Sequence, residues 1–209
     1  GQATSGNVNT FMQMMDSRMA DIVRHEAVSE KLEMACAPLD IAGYNYGIWR
    51  YRRDMKKYPN RLILGSETFC KDAWLFWEIA KDNPQIIGDF VWAGMDYIGE
   101  TGMGAPEYGD YRMDAPETQM TGGNGRIDLT GAPRAEAAYT RVALGQDNGP
   151  FLAVQPVNRD DDPNLTGWSL TKAVESWSWP GCEGKTAVVE VYARADTVEL
   201  RLNGRVVKS

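Results

Sequence analysis

Apolar and polar positions alternate along this chain in three different rhythms. Over residues 8–33, Met12, Met15, Met19, Ile22 and Val23 recur at helical spacing between acidic and basic residues, which predicts one amphipathic helix. From residue 39 the grammar becomes strand then helix, repeated. LDIAGYNY (39–46), RLILGSE (61–67) and the opening of IIGDFVWAGMDYI (86–98) read as apolar strands. Residues 47–58 and 72–82 read as the helices between them. Pro59-Asn60 and Asn83-Pro84 close these helices, and Ala73, Phe76, Trp77 and Ala80 form the apolar stripe of the second. A Gly-rich loop is expected over 99–125 and a helix over 135–144.

From about residue 151 the rhythm changes again. A polar, acidic segment (158–164) is followed by Trp177-Ser-Trp179 and by Val198, Leu200 and Leu202 alternating with polar residues. Asn203-Gly204 then predicts a type I′ hairpin turn. Trp177 and Trp179, two positions apart, share one face of a strand, most simply the core face.

The strand–helix alternation implies an α/β fold, a parallel sheet with helices outside it. No GxGxxG or Walker loop follows a strand, so the doubly wound nucleotide-binding form lacks its signature. The chain ends in antiparallel β of sandwich type. We expect two domains, 1–148 and 149–209, the second too short for a complete immunoglobulin-like sandwich.

Charge narrows the function. A net charge of −7 argues against nucleic acid and against an anionic membrane surface. The basic run around Arg50, Arg52, Arg53, Lys56 and Lys57 reads as a solvated helix face. Cys36, Cys70 and Cys182 have no ligand-set spacing, so neither a disulfide framework nor a metal or other cofactor is expected. His25, the one histidine, reads as structural.

Chemistry gathers at the carboxyl ends of the three strands, where parallel β/α folds carry their sites. These ends are GYNY (43–46), GSET (65–68) and WAGMD (92–96). Together they offer aromatic rings, an amide and carboxylates. Rings stack on the C–H faces of sugars, and Asn and carboxylates bind hydroxyls. A carbohydrate substrate is the reading.

These segments, with GRIDLTGAPR (125–134) and DTVELRLNG (196–204), resemble glycoside hydrolase family 2, most closely its bacterial β-galactosidases. The resemblance implies strands six to eight of a TIM (β/α)8 barrel followed by a partial immunoglobulin-like β-sandwich. It implies Glu67 as the nucleophile of a retaining mechanism and Tyr46 as the tyrosine contacting it, with the spacing leaving Tyr44 as the alternative. Asn45 would bind a sugar hydroxyl and Trp92 would lie beneath the sugar, with Asp96 and Glu100 as polar rim groups. The acid/base of the family follows an Asn, and no Asn-Glu pair occurs here. The chain therefore reads as a fragment, inactive alone, whose open sheet pairs with the missing barrel half or with itself. A β-glucuronidase, with Arg112 or Arg126 as the basic group, or a β-mannosidase is the alternative sugar specificity. A non-catalytic carbohydrate-binding protein using Trp168, Trp177 and Trp179 is the rival of a different class.

Overall fold

The computed structural model describes residues 11–12, 14–15, 18–104, 107–108, 120–161 and 163–209. The single N-terminal helix expected from the methionine stripe is interrupted: residues 11–12 and 14–15 are helical, a turn follows at Arg18, and then come α1 (Met19–Arg24) and α2 (Glu26–Cys36). The break between α1 and α2 lies at His25, whose backbone is extended (φ −62°, ψ 144°). Its imidazole Nδ1 accepts a hydrogen bond from the Ala27 amide at 3.2 Å. The first N–H groups of a helix have no intrahelical partner, and His25 satisfies one of them as an N-cap. The start of the expected helix, at residue 8, lies outside the described residues.

Strands β1 (Ile41–Asn45), β2 (Leu62–Thr68) and β3 (Ile86–Val91) form a parallel sheet in the order β1-β2-β3. Parallel neighbours need a crossover between them. The first crossover is a short 3-10 turn (Ile48–Arg50) running into α3 (Tyr51–Lys57), and the second is α4 (Ala73–Ala80). The buried face of α4 is Ala73, Phe76 and Ile79; Ala73 and Phe76 stand on the stripe expected, Ala80 packs against the core half-buried, Trp77 is half-buried, and Ile79 joins them. Side chains alternate across a strand, so Ala42, Tyr44, Ile63 and Ile86 leave the sheet on one side. There they meet Ile48, Tyr51, Phe76 and Ile79 in the main core.

A polar network is sealed inside that core. Asp54, 1% exposed in its side chain, accepts from Arg50 Nε at 2.8 Å and from the Tyr44 hydroxyl at 2.8 Å. The Arg50 guanidinium also donates to Ser29 Oγ at 3.2 Å and to the Val23 carbonyl. Arg50 is therefore buried, unlike the solvated face its basic neighbours suggest. It fastens both N-terminal helices to the sheet layer. Burial and the bond to Asp54 push the Tyr44 phenol up to about 12.

The opposite face of the sheet carries exposed Ile41, Leu62 and Phe90. Both β1 and β3 are edge strands in this sheet.

Past the loop, α5 (Ala135–Ala143) packs on the antiparallel pair β4 (Phe151–Val154) and β5 (Val189–Tyr192). This second core is small, built on Ala135, Ala153 and Ala173 with Tyr192 against it. Arg194 donates to the carbonyls of Val142 and Ala143, both at 2.7 Å, and so caps the end of α5. The expected hairpin is present as β6 (Leu200–Leu202) and β7 (Arg205–Lys208). Asn203 (φ 48°) and Gly204 (φ 80°) supply the two positive φ angles of a type I′ turn. Every residue of both strands is exposed. The described β segments of this end form separate two-stranded ladders. Trp177 is 61% exposed, against the core position expected for it. Trp179 is half-buried and donates to the Ser176 carbonyl at 3.2 Å.

Candidate active site

The three strand ends lie side by side. Asn45 of β1 stands opposite Glu67 of β2. The Trp92 amide, just past β3, bonds the Thr68 carbonyl at 3.0 Å. Asn45, Tyr46, Glu67 and Trp92 thus share one edge of the sheet, as parallel register requires.

Tyr46 turns the chain there. Its backbone is left-handed (φ 50°), a conformation costing a non-glycine residue roughly 1–2 kcal/mol. In exchange its amide donates to the Glu67 carbonyl at 2.7 Å. The ring stacks on Phe69, centroids 4.2 Å apart, and meets the edge of Trp168 at 6.4 Å. Burial holds the Tyr46 phenol well above the usual tyrosine range; the Trp168 bond works against this, and the neighbouring Glu67 carboxylate, as acceptor, adds to it. Tyr44 has gone the other way, into the Arg50–Asp54 network. Of the two tyrosines the sequence left open, Tyr46 is the one beside Glu67.

Asn45 is exposed, and its Oδ1 accepts from Ser66 Oγ at 3.3 Å. Trp92 is half-buried and stands edge-on to Tyr97 at 5.7 Å. Tyr97, which the sequence reading passed over, packs against this indole. The Tyr97 hydroxyl donates to the exposed Glu100 carboxylate and accepts from Asn124 Nδ2 at 3.4 Å.

Asp96 sits differently from the rest. Its side chain is 1% exposed and pairs with Arg134 at 3.1 Å. Its other oxygen accepts from the amides of Tyr97 at 3.1 Å and Gly123 at 3.0 Å. These bonds fix the loop that carries Tyr97 against the segment around Gly123. Gly125 permits that closure: a Cβ there would stand 2.1 Å from the Asp96 amide nitrogen. Arg126 is buried, donating to Thr140 Oγ1 at 2.8 Å and to the Ala93 carbonyl at 3.4 Å. Arg112 lies outside the described residues.

A cleft of about 320 Å³ opens beside Tyr46 and Phe69, with Trp49, Lys71 and Asp72 on its walls. Trp168, which sequence reasoning offered only as a ring of a carbohydrate-binding platform with Trp177 and Trp179, lies beside Tyr46 instead. It is 7% exposed, and its indole Nε1 donates to the Tyr46 hydroxyl at 2.8 Å. The two are 122 positions apart, and no local pattern signals this contact.

No family model matches the chain, and no curated protein matches it either. Solved structures do. A glycosyl hydrolase family 2 member from Bacteroides cellulosilyticus is 32% identical, with a TM-score of 0.71 over 84% of this chain and 23% of its own. A second family 2 member, from Bacteroides cellulosilyticus DSM 14838, is 29% identical, with a TM-score of 0.62 over 83% of this chain and 20% of its own. The chain thus spans less than a quarter of either solved protein, and the likeness supports a segment of a family 2 glycosyl hydrolase.

Proposed function

We propose that this chain is the C-terminal part of the catalytic barrel, with the start of the next domain, of a retaining β-glycosidase whose nucleophile is Glu67. The observation that carries the reading is the placement of Glu67 beside Tyr46, whose amide donates to the Glu67 carbonyl at 2.7 Å, at the carboxyl edge of a parallel sheet. A carboxylate there attacks the anomeric carbon and forms a covalent glycosyl-enzyme, which water then hydrolyses. In this reading the Tyr46 hydroxyl orients the carboxylate by donating to it. Trp92 offers a ring to the sugar's C–H face and Asn45 an amide to a hydroxyl. Asp96, with its oxygens engaged by Arg134, Gly123 and Tyr97, positions the loop rather than binding the sugar. The second carboxylate, about 5–5.5 Å from the nucleophile, comes from strands beyond this chain.

Those strands also account for the open sheet. Exposed Ile41, Leu62 and Phe90 form the lining of a closed barrel once its other strands are in place. The separated chain, with this face and two edges uncovered, self-associates or binds the missing half. Sedimentation that finds only monomer, with no binding of the upstream half, contradicts this.

β-Galactosides are the first substrate class to test. For a β-glucuronidase the described basic candidate, Arg126, is buried, with Nε on Thr140 and Nη1 on the Ala93 carbonyl and only Nη2 without a partner among the described residues. In the intact enzyme, Glu67→Gln lowers hydrolysis of a nitrophenyl β-galactoside by roughly a thousandfold or more. A 2-deoxy-2-fluoro glycoside leaves its adduct on the peptide containing Glu67. Activity within tenfold of wild type, or an adduct elsewhere, overturns the assignment.

A further inference from the structure

We infer that Trp168, from the segment after the barrel strands, is a positioning residue for the nucleophile: its indole N–H occupies the Tyr46 oxygen and commits the phenol's proton to Glu67. This rests on the glycosidase reading of Glu67. The indole nitrogen is a donor only. Its bond to the Tyr46 hydroxyl is 2.8 Å long, so the phenol accepts on that side. The phenol's own proton must then be directed elsewhere, and Glu67, whose backbone carbonyl takes the Tyr46 amide at 2.7 Å, brings its carboxylate as the neighbouring acceptor.

The aromatic packing leaves the phenol little alternative. Phe69 stacks on the Tyr46 ring at 4.2 Å, and Trp168 closes the edge of both rings, 5.9 Å from Phe69. Trp168 is itself locked, 7% exposed, with its amide bonded to Thr166 Oγ1 at 3.3 Å and the Ser169 hydroxyl bonded to the Gly104 carbonyl. Glu67 and Tyr97 are the titratable groups acting on the phenol, and Lys71 and Asp72 line the cleft beside it. A free phenol would divide its proton between acceptors. This one is held as a one-way donor, by a residue outside the sheet that carries the chemistry.

The test is a double-mutant cycle in the intact enzyme, read as kcat and KM separately. Trp168→Phe keeps an aromatic ring and deletes the N–H. It lowers kcat about tenfold, the scale of one lost hydrogen bond, and leaves KM within about twofold. Tyr46→Phe lowers kcat at least as far. Adding Trp168→Phe to Tyr46→Phe then changes kcat by less than about twofold, because the N–H has no phenol left to orient. Additive losses, or a fall in kcat matched by a loss of thermal stability and a rise in KM, reduce Trp168 to packing and overturn the inference. Glu67→Gln in the same series separates the two levels. If it stays active, the glycosidase reading has failed and this inference with it; if it is inactive and the cycle is additive, only the role of Trp168 has failed.

Discussion

The two ends of this molecule use the same alternation of apolar and polar residues to different effect. In the sheet region Ala42, Tyr44 and Ile63 alternate inward, and helices cover them in the main core. In the final hairpin Leu200 and Leu202 alternate just as regularly and remain exposed. Alternation specifies which face of a strand wants cover; a second layer has to supply it. Where that layer is within reach along the chain, as with α3 and α4, the pattern becomes a core with a sealed ion pair. Where it is not, the pattern stays on the surface. The far face of the sheet, with Ile41, Leu62 and Phe90, belongs to the second kind.

That contrast predicts a gradient of effects. The largest is at Asp54, the centre of the buried network. Asp54→Ala leaves Arg50 charged and unpaired inside the core and costs about 3–5 kcal/mol in urea unfolding. A loss below about 1 kcal/mol would mean that the network is open to water. Next is Gly125→Ala, whose added carbon meets the Asp96 backbone, a group unable to swing aside. It costs about 2 kcal/mol by overpacking and disturbs the loop carrying Tyr97, seen as altered near-ultraviolet circular dichroism.

A smaller effect has the opposite sign. Burial holds the Asp89 carboxyl above its usual range, its Oδ2 accepting from Thr68 at 2.8 Å. Among the described residues its Oδ1 has no partner, nor does the Tyr51 hydroxyl, and both crowd the same side of Gly65. With a folded value above the unfolded one, the folded chain holds a proton that the unfolded chain has released. Stability is therefore greatest below the unfolded value, near pH 4, and declines as pH rises through the folded value. Asp89→Asn removes that decline and brings an amide donor. It raises stability at pH 7 by about 1 kcal/mol, and the gain disappears below about pH 4 in unfolding curves. The smallest effect is Leu202→Ser in the hairpin, within about 0.5 kcal/mol. A cost above about 1.5 kcal/mol there would break the contrast, since it would reveal a packed partner for that face.

What could be read from the sequence follows the range of the forces involved. Strand ends, the Asn203-Gly204 turn and the neighbourhood of Glu67 with Tyr46 depend on residues close in sequence or on simple parallel register. The misread positions depend on where one side chain rotates. Arg50 shares a basic run with Arg52 and Arg53, yet its helical phase points it at Asp54 and Ser29. His25 interrupts an otherwise continuous apolar stripe because its imidazole serves the next helix better as a cap. Trp168 and Trp177 look alike in sequence, and only tertiary closure makes one a buried donor to Tyr46 and the other a surface ring.

The guanidinium of Arg194 gives the stretch around residue 148 a mechanical meaning. A scissor cut near residue 148 falls between recognisable blocks of sequence, and it would look like a safe place to shorten the chain. It would uncap the last turn of α5, to which Arg194 is bonded, and in the same stroke remove the indole seated on Tyr46. Any minimal version built for engineering has to keep both sides of that seam, because the later block acts as the clasp of the earlier one.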